Sequence, residues 1–246
     1  MPENAGTLYI VATPIGNLDD MSPRGRRILE FVDVILCEDT RHTSRLASAF
    51  GIDTKRLSFH EHNEAKRLPQ VIAGLREGRN YALVSDAGTP LVSDPGYRLL
   101  TRIRELGLTA TPVPGPCAAI AALSVAGLAT DRFVFEGFLP SKQAARRARL
   151  EVLMAEPRTM VFYETGKRIV DMLGDAADVM GAERPAAVCR ELTKAFESIY
   201  RDDLGGLQRR AASDPDMVRG EIAVIIAGAE TDTATTPDIE RLMRAL

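Results

Sequence analysis

From Thr7 to about Leu128 the chain repeats one pattern: a short apolar run, a polar turn, then a longer stretch whose apolar residues recur three and four apart. The runs TLYIVA, VILCED, RLSFHE, NYALVSD and TATPVPG read as strands, and SPRGRRILEFVD, HTSRLASAFG, EAKRLPQVIAGLREG and YRLLTRIRELG between them read as helices. Few folds satisfy such alternation. It predicts α/β architecture, with a mainly parallel sheet and helices on both faces.

A turn-rich segment at Gly127–Arg132 precedes a change of rhythm. FVFEGFL, TMVFYE, AAVCREL, FESIYR and EIAVIIAG predict strands with only two or three helices among them, including KQAARRARLEVLMAE, which suggests a mixed sheet. Two domains therefore suit a chain of 246 residues that is 45% hydrophobic. The expected division is an N-terminal α/β domain with a ligand cradle over 1–128 and a C-terminal mixed α/β domain over 129–230. A linker and short amphipathic helix are expected over 231–246.

No apolar run approaches the roughly 20 residues of a membrane span, and MPENAGT lacks the segments of a secretory signal, so a cytoplasmic protein is expected. Cys37, Cys117 and Cys189 lie far apart and read as reduced thiols. With 31 Lys plus Arg against 34 Asp plus Glu, the net charge of -3 argues against a general polyanion binder. Nucleic-acid contact would need local patches. The densest is Lys142, Arg146, Arg147 and Arg149; Arg24, Arg26, Arg27, Arg41 and Arg45 form another, and a solvated helix face explains either cluster as well.

In an open parallel sheet the turns after the strands share one edge, where ligands bind. Here those turns are TPIGN (13–17), EDTRHT (38–43), HEHNE (60–64), SDAGTP (85–90) and PGPCA (114–118). Gly and Pro as turn formers explain any one of them; five together point to a functional rim. The stretch SDAGTPLVSDPG, residues 85–96, has two Asp, two Gly and two Pro but no cation and no aromatic ring. Acceptors without cations disfavour phosphate and suit hydroxyls or a positive charge. The helix start at PGPCAAIAALSVAGL, with Pro116 near its first turn, suits a carboxylate. Ribose, amine, carboxylate and positive charge together describe S-adenosylmethionine, although other amino-acid or nucleoside ligands pass the same test. GxGxxG and the P-loop pattern are absent, which demotes NAD enzymes and NTPases. Cys37, Glu38, Asp39, His42, His60 and His62 are the candidates for a metal site on the rim, with His60 and His62 pointing the same way if both lie in a strand. No further ligand spacing supports a metal, and none is expected.

Taken in order, LYIVATPIGNLDD, EDTRHTSRL, HEHNE, ALVSDAGTPLVSDPGYRL, VPGPCAAIAALSVAGL, DRFVFEGFLPSK, FYET, RELTKAFE and RGEIAVII resemble the ribosomal-RNA cytidine 2'-O-methyltransferases of the tetrapyrrole methylase superfamily, from about Thr7 to Gly228. The resemblance implies a two-domain class III methyltransferase, usually a homodimer, with S-adenosylmethionine in the cleft between the domains. The implied acceptor is a cytidine 2'-hydroxyl in the decoding region of 16S ribosomal RNA in the small subunit. By position, the implied cofactor contacts are Pro14, Asp86, Gly88, Pro90, Leu91, Asp94, Gly115, Cys117 and Ala118, with Phe162, Tyr163 and Leu192 from the second domain. Two features depart from the family pattern: a common His becomes Lys167, and the chain stops at Leu246 before the Lys-rich helical segment that members often carry.

Methyl transfer from a sulfonium needs an in-line approach, and the leaving group is already activated, so positioning carries much of the rate. A weakly nucleophilic ribose hydroxyl still gains from a nearby base. Asp39, His62, Glu64, Glu164, Glu191 and Lys194 are available; Asp39 oriented by Arg41, with Glu191 and Lys194, is the expected catalytic set. Helix caps and surface ion pairs are the ordinary explanation for Asp39, Arg41 and Glu164. The rival readings are a superfamily methylase acting on a tetrapyrrole or a protein, and a non-catalytic RNA-binding or ribosome-assembly factor; a tetrapyrrole enzyme should show a GxGxGD-like first turn, which TPIGNLDD lacks.

Overall fold

A computed structural model describes residues 5–230. The linker and helix expected over 231–246 lie outside the described residues. The chain divides into two compact units, one running to Val125 and taking in Cys189–Ser198, the other made of Ala126–Val188 and the chain from Ile199.

In the first unit the strands are β1 (Thr7–Val11), β2 (Val34–Cys37), β3 (Lys55–Ser58), β4 (Tyr81–Leu83) and β5 (Thr109–Val113). They form one sheet in the order β3-β2-β4-β1-β5. Every pairing is parallel, so all five carboxyl ends share one edge. The chain leaves β2 toward β3 on one side and leaves β4 toward β5 on the other, which places the switch in strand order at the adjacent pair β2 and β4, beside β1.

The helices are α1 (Pro23–Phe31), α2 (Thr40–Phe50), α3 (Glu61–Arg76), α4 (Tyr97–Glu105) and α5 (Ala118–Ala126). Alternation along the strands splits the core in two. Leu8, Leu36 and Leu83 pack with Val71, Leu75, Leu99 and Ile103 of α3 and α4, whereas Ile35, Cys37 and Ala82 pack with Leu29 and Ala47 of α1 and α2. Helices thus cover both faces. Ser22 caps α1 by accepting from Gly25 N, with Pro23 at the first helical position. The first residue of α4 follows Gly96, which has no side chain to cap with. Buried Glu64 on α3 supplies the acceptor instead, taking Leu99 N–H at 3.0 Å.

The second unit contains β6 (Phe133–Phe138), β7 (Thr159–Thr165), β8 (Pro185–Arg190), β9 (Ser198–Asp203) and β10 (Glu221–Ile226), ordered β6-β7-β10-β8-β9. β6 pairs with β7 in parallel and β10 pairs with β7 antiparallel, so the sheet is mixed. Met160, Phe162, Val188, Ile222, Val224 and Ile226 pack against α6 (Gln143–Leu153), α7 (Ile169–Met180) and α8 (Leu204–Ser213). No helix among the described residues is long and apolar enough to cross a membrane.

Candidate functional site

Hydrogen bonds join four of the five turns at the carboxyl edge. Thr13, after β1, and Gly88, after β4, exchange both backbone bonds at 2.9 and 3.0 Å, an isolated antiparallel bridge between loops of a parallel sheet. The buried Thr13 hydroxyl donates to Ser85 O at 3.2 Å. Thr89 Oγ1 donates to Pro116 O at 2.9 Å, bringing in the turn after β5, and Asp39 N donates to Asp86 Oδ1 at 3.3 Å, bringing in the turn after β2. The turn after β3, at the sheet edge, passes into α3 instead.

Within this rim, Gly88 has φ 82° and Gly96 has φ 120°, conformations that side chains resist. A Cβ on Gly88 would press on Ile15 Cγ2 at 3.3 Å, and one on Gly115 would sit 3.0 Å from Ala12 Cβ. Leu91 and Ser93 also hold positive φ, at 74° and 66°, a strained arrangement for residues with side chains. Pro14, Asp86, Gly88, Pro90, Leu91, Asp94, Gly115, Cys117 and Ala118 all belong to this set of turns. Cys117 O accepts the first bond of α5 from Ala121 N, so Pro116 stands one residue before the cap rather than in the first turn.

The charge here is one-sided. Burial pushes Asp94 up to about 6; a hydrogen bond from Ser85 opposes the shift, and the carboxylates of Glu38 and Asp86 reinforce it. Asp39 behaves in the opposite way. Hydrogen bonds from the Arg41 side chain and backbone hold its carboxyl down to about 2, and Arg41 Nη2 lies 3.0 Å from Asp39 Oδ2. Its side chain also caps α2 by accepting from Arg41 N. A carboxylate so occupied is a weak proton acceptor at neutral pH.

The Cys189–Ser198 segment belongs to the first unit and meets the turn after β1. A Cβ added to Gly16 would collide with Lys194 Cγ and crowd Thr193 Oγ1 and Leu192 O. In this segment Glu191 and Thr193 hold positive φ, at 51° and 66°, and Lys194 Nζ donates to Glu191 Oε1 at 2.8 Å. The expected residues Glu191, Leu192 and Lys194 are therefore together, beside a glycine that sequence reasoning passed over. TPIGN contained the signal: a glycine directly after a stiff Pro–Ile step.

Several expectations need correction. Arg146 is 3% exposed, its Nε 2.7 Å from Asp175 Oδ2, and it cannot present its charge to RNA. Arg147 bridges Asp175 and Asp178 at 3.1 and 2.9 Å, and Arg149 pairs with Glu136 at 2.5 Å. Of that patch, Lys142, which precedes α6, is exposed. Phe162 is fully buried in the second core, so its side chain is unavailable to a ligand, while Tyr163 on the opposite face of β7 is half-buried. His60 and His62 are not strand neighbours: His60 caps α3 and His62 lies in its first turn, with ring centroids 6.0 Å apart. Among the described residues no group of three or more His, Cys, Asp or Glu is arranged to hold a metal ion. Glu64 is taken up by α4, and Glu164 is buried, with Arg168 Nε 3.2 Å from its Oε1 and no hydrogen bond to its Oε2.

A parallel five-stranded unit followed by a mixed one is the architecture of known methylases. Solved structures with this fold include uroporphyrin-III-C-methyltransferase from Thermus thermophilus, at TM-score 0.63 and 20% identity over 90% of this chain and 94% of that one. Diphthine synthase matches at TM-score 0.65 and 14% identity, covering 90% of each chain. At such identities the fold alone is shared. The family model "Tetrapyrrole (Corrin/Porphyrin) Methylases" matches residues 7–208, and the chain belongs to that family. Much nearer in sequence are proteins named ribosomal RNA small subunit methyltransferase I. That of Pseudomonas aeruginosa is 52% identical over 92% of this chain and 80% of its own length, and that of Escherichia coli O157:H7 is 47% identical over 94% and 81%.

Proposed function

We propose that the protein transfers a methyl group from S-adenosylmethionine to the 2'-hydroxyl of a cytidine in 16S ribosomal RNA of the small subunit. The observation that carries this reading is the 52% identity, spanning 92% of the chain, with a ribosomal RNA small subunit methyltransferase I. The rim fits the cofactor. Gly88 and Gly115 let the turns of the rim close on Ile15 and Ala12, and the acidic set Glu38, Asp86 and Asp94 suits a cation better than a phosphate. Asp86, Gly88, Pro90, Leu91 and Asp94, with Pro14, Gly115, Cys117 and Ala118, would hold it, and Tyr163 and Leu192 are proposed as further contacts. When bound, this cofactor supplies an electrophilic methyl group on a positively charged sulfur.

The chain's own part is to position the hydroxyl in line with the methyl group. Glu191 and Lys194, paired at 2.8 Å, are proposed to hold it there, its proton leaving to solvent. Asp39 and Arg41 are proposed to anchor the Asp86 loop through Asp39 N rather than to move a proton. A homodimer acting in the cytoplasm completes the proposal.

Incubation with radiolabelled S-adenosylmethionine and small subunits lacking the modification tests it, with calorimetry on the cofactor alone. Label in the RNA as a 2'-O-methylcytidine supports the reading. Cofactor binding without transfer would leave a non-catalytic assembly factor as the better description.

A further inference from the structure

Phe135 and Phe138 are three residues apart in β6, a spacing that in a regular strand sends two side chains to opposite faces. Here both lie on the same face. The pairing with β7 shifts between Phe135 and Gly137, so that Phe135 opposes Val161, Gly137 opposes Phe162 and Phe138 opposes Tyr163, with Glu136 as the extra residue. Gly137 takes φ 66° to make the bulge. In consequence both phenylalanines meet Tyr163 edge-on, at centroid distances of 4.9 and 5.7 Å.

Burial does not explain the arrangement. Phe138 remains 53% exposed, so the bulge brings an aromatic ring to solvent next to two supporting rings. A cation follows each strand. Four residues after Phe138 comes Lys142, and four after Tyr163 comes Lys167, both exposed. The two loops are tied together by Arg168, whose Nη2 donates to Leu139 O at 2.6 Å.

We infer that Phe138, backed by Tyr163 and Phe135, is a stacking platform for an unpaired base of the RNA substrate, with Lys142 and Lys167 placed for the adjoining phosphates. An exposed aromatic ring with a lysine in each of the loops that follow its two strands matches a single-stranded nucleotide, which proteins bind by stacking its base and neutralising its backbone. Phe138 is thus a positioning residue. The inference rests on the proposed action on RNA.

The test compares wild type with Phe138→Ala, Phe138→Leu and Phe138→Trp in steady-state methylation of small subunits lacking the modification, alongside calorimetry with S-adenosylmethionine. Losing one stacked base should raise KM for the subunits roughly five- to a hundredfold in the Ala and Leu variants, with near wild-type KM in the Trp variant and cofactor affinity unchanged in all. Leu keeps apolar bulk without the ring, so a merely structural role would be rescued by Leu as well as by Trp. An Ala variant with wild-type KM, or one whose loss tracks weaker cofactor binding, overturns the inference alone. Wild-type enzyme that methylates no RNA overturns the functional reading and this inference with it.

Discussion

Thr13 and Gly88 exchange backbone hydrogen bonds at 2.9 and 3.0 Å, joining the turns that follow the adjacent strands β1 and β4 of the first sheet. Such a clasp removes freedom from both loops before any ligand arrives, which lowers the ordering cost of binding. Its conformation depends on Gly88 at φ 82°.

Gly88→Ala should therefore cost about 1–2 kcal/mol of stability through the left-handed backbone. It should weaken S-adenosylmethionine binding about tenfold or more as the added Cβ presses on Ile15. Chemical denaturation and calorimetry on one preparation would read both effects. Unchanged cofactor affinity would show that the clasp is only architectural.

Asp94 predicts a pH dependence. An acid whose folded pKa is raised, here to about 6, stabilises the fold below its unfolded value and loses that contribution as pH rises through the folded value. Ionised Asp94 then works against the fold and in favour of a cation. Affinity for S-adenosylmethionine should rise roughly three- to tenfold between about pH 5 and about pH 7.5, with little change for the uncharged thioether S-adenosylhomocysteine. Asp94→Asn should flatten the profile. Equal pH profiles for the two ligands would remove Asp94 from charge recognition.

Arg146 and Lys142 should behave as different kinds of residue although they share one basic cluster. Arg146→Ala leaves the buried Asp175 carboxylate without its main partner and should destabilise the fold by about 3–5 kcal/mol. Lys142→Ala should leave stability alone, weaken RNA binding and reduce the salt slope by about one. Thermal unfolding together with filter binding over a salt series separates the two. Acid should also loosen this network. Burial alone would raise Asp175, but hydrogen bonds from Arg146, Gln143 and Arg147 bring it below its ordinary value, so its contribution is lost as pH falls through that lowered pKa.

Gly16→Ala should disturb catalysis more than folding, because the added carbon strikes Lys194 and crowds Thr193 and Leu192. Displacing the Glu191–Lys194 pair by a fraction of an ångström should lower kcat roughly tenfold or more with unaltered circular dichroism. Full activity would show that this pair can move without penalty.

Periodicity made both sheets and their helices legible, because Leu36 and Ile35 or Leu83 and Ala82 announce opposite faces by alternation alone. Arg146 was legible too, yet overshadowed by its basic neighbours. It stands four and seven residues before Leu150 and Leu153, on the buried stripe of α6. The bulge at Glu136 leaves no such trace, since one extra residue in one strand is visible only against its partner's register. Local composition marked the acidic loop at 85–96 but could not reveal Thr13 reaching it, a contact between segments far apart in the chain. His60 and His62 stand at strand spacing in the sequence, but the chain turns into α3 at His60, where Asn63 Oδ1 accepts from His60 N at 2.9 Å.

The first unit is not one continuous stretch, for it takes in Cys189–Ser198 from beyond the greater part of the second. During synthesis, its last piece emerges only after most of the remaining chain has been made. Half-grown protein thus carries the acidic rim without Glu191 and Lys194, and cleavage after Val125 would yield a fragment with the same deficiency. Competence for chemistry should appear late and all at once.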